Sequence, residues 1–149
     1  SGPEPHRTTM ENALRKWMLK RPENGIIIAG KPGSSPREDG GVLTLYDPSD
    51  LDITDAICSS EILICRSGYT TLLDLVALKK RAILIPTPGQ QEQEELSAVW
   101  TDKFGFASCS QKDLKNLMVP EISGEFPAEL ISKAPNKTAM NELAVWLKN

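Results

Sequence analysis

Histidine is nearly absent from this sequence: His6 is the only one. That scarcity excludes catalytic triads and metal sites built from several histidines. Cysteine is also scarce, because only Cys58, Cys65 and Cys109 occur and no Cys-x-x-Cys spacing links them. Such a set supports neither a disulfide framework nor a zinc site. We expect reduced thiols in a cytoplasmic setting, with Cys58 and Cys65 packed as small apolar side chains.

The sequence also lacks long apolar runs and basic blocks. No stretch approaches the roughly 18 uninterrupted apolar residues that a membrane span needs. We find no basic segment followed by an apolar one, which would indicate a signal peptide. The formal net charge is −3, from 17 Lys+Arg and 20 Asp+Glu. This mild acidity argues against a nucleic-acid partner or an anionic membrane surface.

Within these limits the composition is that of a globular domain. Apolar residues make up 40% of the chain and charged residues 25%. A length of 149 residues fits one domain that buries about two-thirds of its unfolded surface.

Short apolar runs predict the strands. Four of them cover residues 25–30, 42–46, 61–65 and 82–86, and a weaker fifth covers 106–109. Three of the four are continuous rather than alternating, which is typical of strands buried on both faces of a parallel sheet.

Helical patterns lie between these runs. Capping boxes at Thr8/Glu11 and at Ser49/Asp52 predict two helix starts. Further helices are predicted at 70–80, at 91–104, after Ser110, and after Asn136. The alternation of strands and helices predicts an α/β fold, Rossmann-like, with a parallel sheet and helices on both faces. We expect residues 31–41 to form a mobile loop and 119–135 to be irregular.

One loop carries the strongest chemical signal. In parallel sheets, ligands bind beyond the carboxyl ends of the strands, and residues 65–71 join a buried strand directly to a helix. Gly68 lets backbone approach a ligand, and the helix start offers unpaired N–H groups. Hydroxyl donors come from Ser67, Thr70 and Thr71. This pattern is typical of a phosphate cradle, with Asp74 placed to accept hydrogen bonds from ribose hydroxyls. In the alternative, Ser67 caps the helix, Gly68 makes the turn and Asp74 faces water.

Two other loops have weaker signals. The glutamines of residues 86–93 can hydrogen-bond sugar hydroxyls, although an exposed polar helix start needs no function. The chain start leads into a helix and could place Arg7 near a diphosphate. We expect Trp17, Trp100 and Trp146 to pack in the core rather than to stack on a ligand.

The run from Cys65 to Asp74, the strand ending at Pro86, and Gln93 ahead of Ser97-Ala98 resemble the C-terminal domain of family 28 glycosyltransferases. The resemblance implies the C-terminal half of a two-Rossmann (GT-B) enzyme, which holds a nucleotide sugar, usually a UDP-sugar. It implies an inverting transfer of a hexose-type sugar that uses no metal and no cofactor. The N-terminal domain or a partner subunit would bind the acceptor and supply the catalytic base.

The resemblance also implies roles for individual residues. Ser67 and Gly68 would approach the nucleotide, Thr70 and Thr71 would lie at the diphosphate, and Gln93 would contact the donor sugar. Asp74 would bind the ribose in place of the family's usual Glu. Arg66 and Arg7 would add positive charge near the diphosphate. Glu94 and Ser97 differ from the Gln and Asn common at those positions in the family, so the donor sugar can differ from the one that the family commonly uses.

The resemblance further implies that the first strand of the domain precedes residue 1 and lies between the strands at 25–30 and 61–66. We therefore expect 149 residues to be a fragment whose sheet has a gap, and which is inactive alone. We also expect the protein to be cytoplasmic and to attach to the inner membrane through the N-terminal domain. Three alternatives stay open: a non-catalytic nucleotide-sugar-binding subunit, a UDP-sugar 2-epimerase fragment, for which His6 is poorly placed, and a regulatory phosphate-binding domain.

Overall fold

A computed structural model describes residues 2–30, 33–122 and 126. These residues form two compact units, one from the described residues up to 60 together with 110–118, and one from 61–109 together with 119–122 and 126. The elements follow in the order α1 (His6–Met18), β1 (Gly25–Ile28), β2 (Arg37–Asp39), β3 (Val42–Leu45), α2 (Asp50–Ser59), β4 (Ile64–Cys65), α3 (Tyr69–Ala77), β5 (Ile83–Leu84), α4 (Gln91–Phe104), β6 (Ala107–Ser108) and a 3₁₀ helix (Gln111–Asn116).

The first unit contains a three-stranded sheet in the order β1-β3-β2. Strands β1 and β3 are parallel, whereas β2 pairs antiparallel with β3. The β2 segment, Arg37–Asp39, lies inside the loop predicted at 31–41, so that prediction was wrong for these residues. Its three side chains are charged and exposed, so no apolar pattern marks it. Gly40 and Gly41, with φ of 55° and 78°, form the left-handed turn that a tight hairpin requires.

Helix α1 begins at His6, and the predicted cap at Thr8 was wrong. Glu4 performs that role from outside the helix, because its carboxylate accepts hydrogen bonds from the Thr8 backbone N–H at 3.3 Å and the Thr8 hydroxyl at 3.0 Å. The buried side of α1 carries Met10, Leu14 and Trp17, and Trp17 donates through Nε1 to the Leu117 carbonyl at 2.8 Å. Packing of Trp17 is therefore confirmed.

Helix α2 begins at the predicted capping box. The Asp52 N–H donates to Ser49 Oγ at 3.2 Å, and the Ser49 N–H donates back to Asp52 Oδ2 at 2.9 Å. Asp52 Oδ2 also accepts from the Ser49 hydroxyl at 2.7 Å, and this bond, together with the one from the Ser49 N–H, holds the pKa of the Asp52 carboxyl below its usual value. The short helix predicted after Ser110 is also present, as the 3₁₀ helix.

The second unit is a parallel βαβαβ arrangement with strand order β4-β5-β6. Its centre contains fully buried side chains from β5, α3 and α4, namely Ile83, Leu84, Ile85, Leu72, Leu75 and Trp100. Helix α3 ends at Ala77 rather than at the predicted residue 80, because Lys79 adopts a left-handed φ of 54°. Helix α4 has the predicted bounds and ends at Gly105, whose φ is 66°.

Together the two units confirm the Rossmann-like α/β class. Within the described residues, β1 and β4 are terminal strands of separate sheets, and the resemblance placed a further strand between these two. That further strand, and the gap expected in its place, stay predictions. Trp146 and the helix predicted after Asn136 lie outside the described residues. Among the residues that the structure describes, no helix has both the length and the apolar character needed to cross a membrane.

All three cysteines are free thiols, but their environments differ. Cys58 is exposed, so the expectation that it packs as an apolar side chain was wrong. It stands on the last turn of α2, where one side of the helix faces solvent. Cys65 ends β4 and is only partly accessible, and burial raises the pKa of its thiol to about 12.

We expect this difference to appear as selective labelling. Only thiolates react rapidly with iodoacetamide or a disulfide reagent. At pH 8 a thiol with a pKa of about 12 is almost entirely protonated, so Cys58 should react in the native chain while Cys65 stays unmodified. Mass spectrometry of peptides after a short labelling pulse would measure this. Equal modification of Cys58 and Cys65 under native conditions would contradict the assignment, and labelling in urea serves as the control.

Candidate functional site

A cleft opens in the second unit beyond the carboxyl ends of β4 and β5. Its volume is about 390 Å³, within the range of small-molecule sites. It is lined by the starts of two helices: Gly68 and Tyr69 at α3, and Gln90, Gln91, Glu92, Gln93 and Leu96 at α4. The structure therefore brings together the two loops of this unit that the sequence singled out.

The first helix start, at α3, suits an anion. Gly68 occupies its N-cap position and provides no side-chain hydrogen bond to the first turn. The first N–H groups of a helix have no partner within the helix, and an anion can accept hydrogen bonds from such groups. The first turn of α3 contains no acidic residue, which leaves the positive end of the helix dipole without a compensating charge.

Gly68 is not required by the backbone conformation. Its φ of −75° and ψ of 143° are ordinary extended values that any residue adopts. A Cβ built on Gly68 would meet no atom within 4 Å. The alternative in which Gly68 serves only to make the turn therefore loses its physical basis. Because glycine has no side chain, the space in front of α3 stays open.

Ser67 and Arg66 lie behind Gly68 and hold the loop in place. Ser67 is fully buried, and its hydroxyl donates to the Gln93 carbonyl at 2.7 Å. The buried Arg66 donates through Nη1 to the carbonyls of Ile85 and Pro86, each at 3.2 Å. Burial lowers the pKa of Arg66, although a guanidinium stays charged in proteins. Contacts of Arg66 and Ser67 with a ligand remain predictions.

A chain of hydrogen bonds fixes the second helix start, at α4. Gln93 accepts at Oε1 from the Thr87 N–H at 2.9 Å, and its Nε2 donates to Gln90 Oε1 at 2.6 Å. The first turn of α4 carries Glu92 and Glu94. The two helix starts thus differ in charge: α3 begins without an acidic residue, and α4 begins with two.

The remaining predicted residues occupy other positions. Thr70 and Asp74 are exposed and Thr71 is half-buried, all on α3. Arg7 belongs to the first unit, where it donates to Glu4 and to the Gly30 carbonyl at 2.8 Å. Its predicted contact with a diphosphate stays a prediction.

Five residues of the cleft were not predicted individually: Tyr69, Gln90, Gln91, Glu92 and Leu96. Gln90 and Glu92 belong to the loop whose glutamines were noted, but an exposed polar helix start is common, so their convergence on Gly68 could not be inferred. Tyr69 follows Gly68, and burial raises the pKa of its phenol. Within the residues that the structure describes, no three His, Cys, Asp or Glu side chains cluster in a way that could hold a metal ion.

A larger groove, of about 560 Å³, lies in the first unit. It is lined largely by Ile26, Leu45 and Ala56, with the carboxylates of Asp52 and Asp55 at its edge. Acidic and apolar groups do not suit a phosphorylated ligand. The candidate site is therefore the smaller cleft, where helix starts and amide side chains converge.

The class of protein follows from a family match that agrees with the α/β fold. Residues 9–139 match the model of the glycosyltransferase family 28 C-terminal domain, and the chain belongs to that family.

The named relatives are much longer than this chain. It is 31% identical over 98 residues to the UDP-N-acetylglucosamine--N-acetylmuramyl-(pentapeptide) pyrophosphoryl-undecaprenol N-acetylglucosamine transferase of Histophilus somni, covering 66% of this chain and 25% of the relative. It is 23% identical over 94 residues to the enzyme of the same name from Magnetococcus marinus, covering 50% and 25% respectively. The chain thus spans about a quarter of the length of these curated relatives. No solved structure matches it.

Proposed function

We propose that residues 1–149 are the nucleotide-sugar-binding (donor) domain of a glycosyltransferase that transfers a hexose-type sugar from a UDP-sugar. Family membership supports the reaction class. The names of the two relatives, both of which use UDP-N-acetylglucosamine, support uridine diphosphate as the carrier. We assign binding of the acceptor to an N-terminal domain or a partner subunit.

The observation that carries the proposal is Gly68. A residue with ordinary dihedral angles and open space around its missing Cβ is not restricted to glycine by backbone strain or by a steric clash. The space lies in front of an uncapped helix start without acidic residues. A diphosphate placed there would accept hydrogen bonds from the first N–H groups of α3 and interact favourably with its dipole.

Asp74 extends the site along α3. With a rise of about 1.5 Å per residue, Asp74 lies about 8 Å along the helix axis from Tyr69. A nucleoside diphosphate whose phosphates sit at Gly68 can bring its ribose toward this exposed carboxylate. A carboxylate accepts two hydrogen bonds from vicinal hydroxyls, and such charge-assisted bonds are the stronger kind.

The reaction that this arrangement serves is displacement at the anomeric carbon. The acceptor oxygen forms a bond to that carbon while the bond to the diphosphate oxygen breaks, and the leaving diphosphate keeps the electron pair. The start of α3, with the hydroxyls of Thr70 and Thr71, stabilises the growing charge on the leaving group. The acceptor's proton passes to a base outside this domain. Three free cysteines support placing the protein in the reducing cytoplasm.

A nucleotide-binding panel tests the proposal. We expect UDP to stabilise the chain against thermal unfolding and the other nucleoside diphosphates to do so less. An Asp74→Ala variant should bind UDP roughly 10- to 100-fold more weakly, because two charge-assisted hydrogen bonds are lost. The same variant should no longer distinguish UDP from 2′-deoxy-UDP in calorimetry.

The matched control is Asp102→Ala, which removes an exposed carboxylate from α4 outside the cleft. It should bind UDP as the wild-type chain does. A wild-type chain that responds to no nucleotide would contradict the proposed function. Equal weakening in the Asp74 and Asp102 variants would contradict ribose binding by Asp74, because removing a carboxylate does not in itself weaken the attraction of the chain for an anionic diphosphate.

A further inference from the structure

The side of the cleft formed by α3 carries one side chain, that of Tyr69. Among the residues that the structure describes, Gly68 and Tyr69 are the two that line the cleft from this helix start. Gly68 has no side chain. A ligand bound at the start of α3 therefore meets the backbone at Gly68 and the phenol of Tyr69.

The position of Tyr69 on α3 determines where its side chain reaches. Tyr69 is the first residue of the helix. The Cα–Cβ bonds of a helix tilt toward its N-terminus, so a long side chain on the first residue extends beyond the helix start. This is the side on which Gly68 leaves open space. The phenol thus shares that space with the first N–H groups of α3.

The phenol of Tyr69 is a hydrogen-bond donor at physiological pH. Burial raises its pKa above the ordinary value of about 10, so the group keeps its proton at neutral pH and well above it. A protonated phenol offers an O–H donor. Its hydrogen bond to a phosphate oxygen is charge-assisted, and such bonds are stronger than those between neutral groups.

The rest of the cleft lining makes this donor valuable to a phosphate. Among the described residues that line the cleft, none is lysine, arginine or histidine, and Glu92 adds a negative charge. The charge of a phosphate bound there must therefore be stabilised by uncharged donors. At the start of α3 those donors are the backbone N–H groups and the Tyr69 hydroxyl.

We propose that Tyr69 is a catalytic residue whose phenol donates a hydrogen bond to the leaving diphosphate of the donor. This inference rests on the proposed function. As the bond between the anomeric carbon and the diphosphate oxygen breaks, the electron pair and its negative charge pass to that oxygen. The phenol keeps its proton throughout and stabilises this charge through the hydrogen bond.

A Tyr69→Phe variant of the full chain tests the inference, because it removes the hydroxyl and keeps the ring. We expect the variant to melt at nearly the wild-type temperature and to bind UDP roughly tenfold more weakly, since one hydrogen bond to a charged group is lost. Uridine, which has no phosphate, should keep its wild-type affinity within about twofold. Calorimetry measures UDP binding, and ligand-observed NMR measures the weaker binding of uridine.

The outcomes separate this inference from the proposed function. If the wild-type chain does not bind UDP, the proposed function fails and this inference fails with it. If the wild-type chain binds UDP and Tyr69→Phe binds it equally well, the inference alone is overturned. Equal weakening of UDP and uridine also overturns it, because the hydroxyl then contacts the nucleoside. The matched control is Tyr46→Phe at the other tyrosine of the chain, which packs against the core of the first unit and should change neither affinity.

Discussion

A Gly68→Ala variant is expected to melt at nearly the wild-type temperature and to bind UDP at least about tenfold more weakly. The folding part of this expectation follows from the backbone. Gly68 has dihedral angles that alanine adopts, and the added Cβ meets no atom within 4 Å. Alanine is a poorer N-cap than glycine, but it also reduces the conformational entropy of the unfolded chain, and these two effects oppose each other.

The expected loss of UDP affinity follows from the phosphate that we place in the open space beside Gly68. A phosphate that accepts hydrogen bonds from the first N–H groups of α3 must come into contact with the backbone at Gly68. A methyl group at that position pushes the phosphate outward. A hydrogen bond to a charged group is worth about 1.5–3 kcal/mol, so losing one already weakens binding about tenfold or more.

Gly105→Ala is the control, because it should lower stability and leave UDP affinity unchanged, which is the opposite of the result expected for Gly68→Ala. Gly105 ends α4 with a φ of 66°, which a side chain rarely adopts. Alanine there should destabilise the chain by about 1 kcal/mol and leave UDP affinity unaltered at temperatures where the variant is folded. Thermal melts and UDP titrations of both variants would measure this. A Gly68→Ala variant that binds UDP normally would remove the main support for the diphosphate position.

Replacing Trp100 by alanine is expected to destabilise the second unit by about 3–5 kcal/mol. Trp100 is fully buried on α4, with its ring centroid 5.1 Å from those of Phe104 and Phe106 in edge-to-face geometry. The substitution removes the largest fully buried side chain and leaves a cavity among aromatic rings. Since a small domain is stable by only about 5–15 kcal/mol, much of the population should unfold on mild heating.

Trp100→Phe separates packing from hydrogen bonding. The indole Nε1 is buried and has no hydrogen-bond partner among the residues that the structure describes, so phenylalanine gives up no hydrogen bond there and leaves a smaller cavity. We expect its loss of stability to be less than half that of the alanine variant. Urea unfolding followed by far-UV circular dichroism measures both, because tryptophan fluorescence changes with the substitution itself. A loss below about 1 kcal/mol for Trp100→Ala would contradict the described packing.

The elements that sequence patterns predicted well are those whose own residues determine them. Strand β5 and helix α4 follow from a continuous apolar run and from helical spacing ended by Gly105. Strand β2 consists of charged, exposed residues and exists only because β3 offers it a partner. The start of α1 depends on Glu4, a carboxylate outside the helix. Glu4 and the Gly40-Gly41 turn are both close in sequence to the elements they determine, but neither belongs to the apolar or capping-box patterns on which the predictions depended, and these predictions were wrong for that reason.

The candidate site, too, could be predicted from the sequence only in part. The loop at Gly68 could be found from its residues, because a strand followed by glycine and hydroxyl side chains is a distinctive pattern. The cleft itself could not, since its other wall comes from Gln90 and Glu92, more than twenty residues further along the chain. Nor could the sequence indicate that Gln93 turns its oxygen toward Thr87, because amide orientation depends on a neighbour in three dimensions.

The hydrogen bond from Ser67 to the Gln93 carbonyl, at 2.7 Å, has a consequence for the thermodynamics of binding. It joins the loop after β4 to the first turn of α4, while Gln93 is itself bonded to the loop after β5. The two helix starts are therefore preorganised at a fixed spacing by folding alone. A ligand that reaches from one to the other immobilises little additional backbone, so its conformational-entropy penalty on association is small.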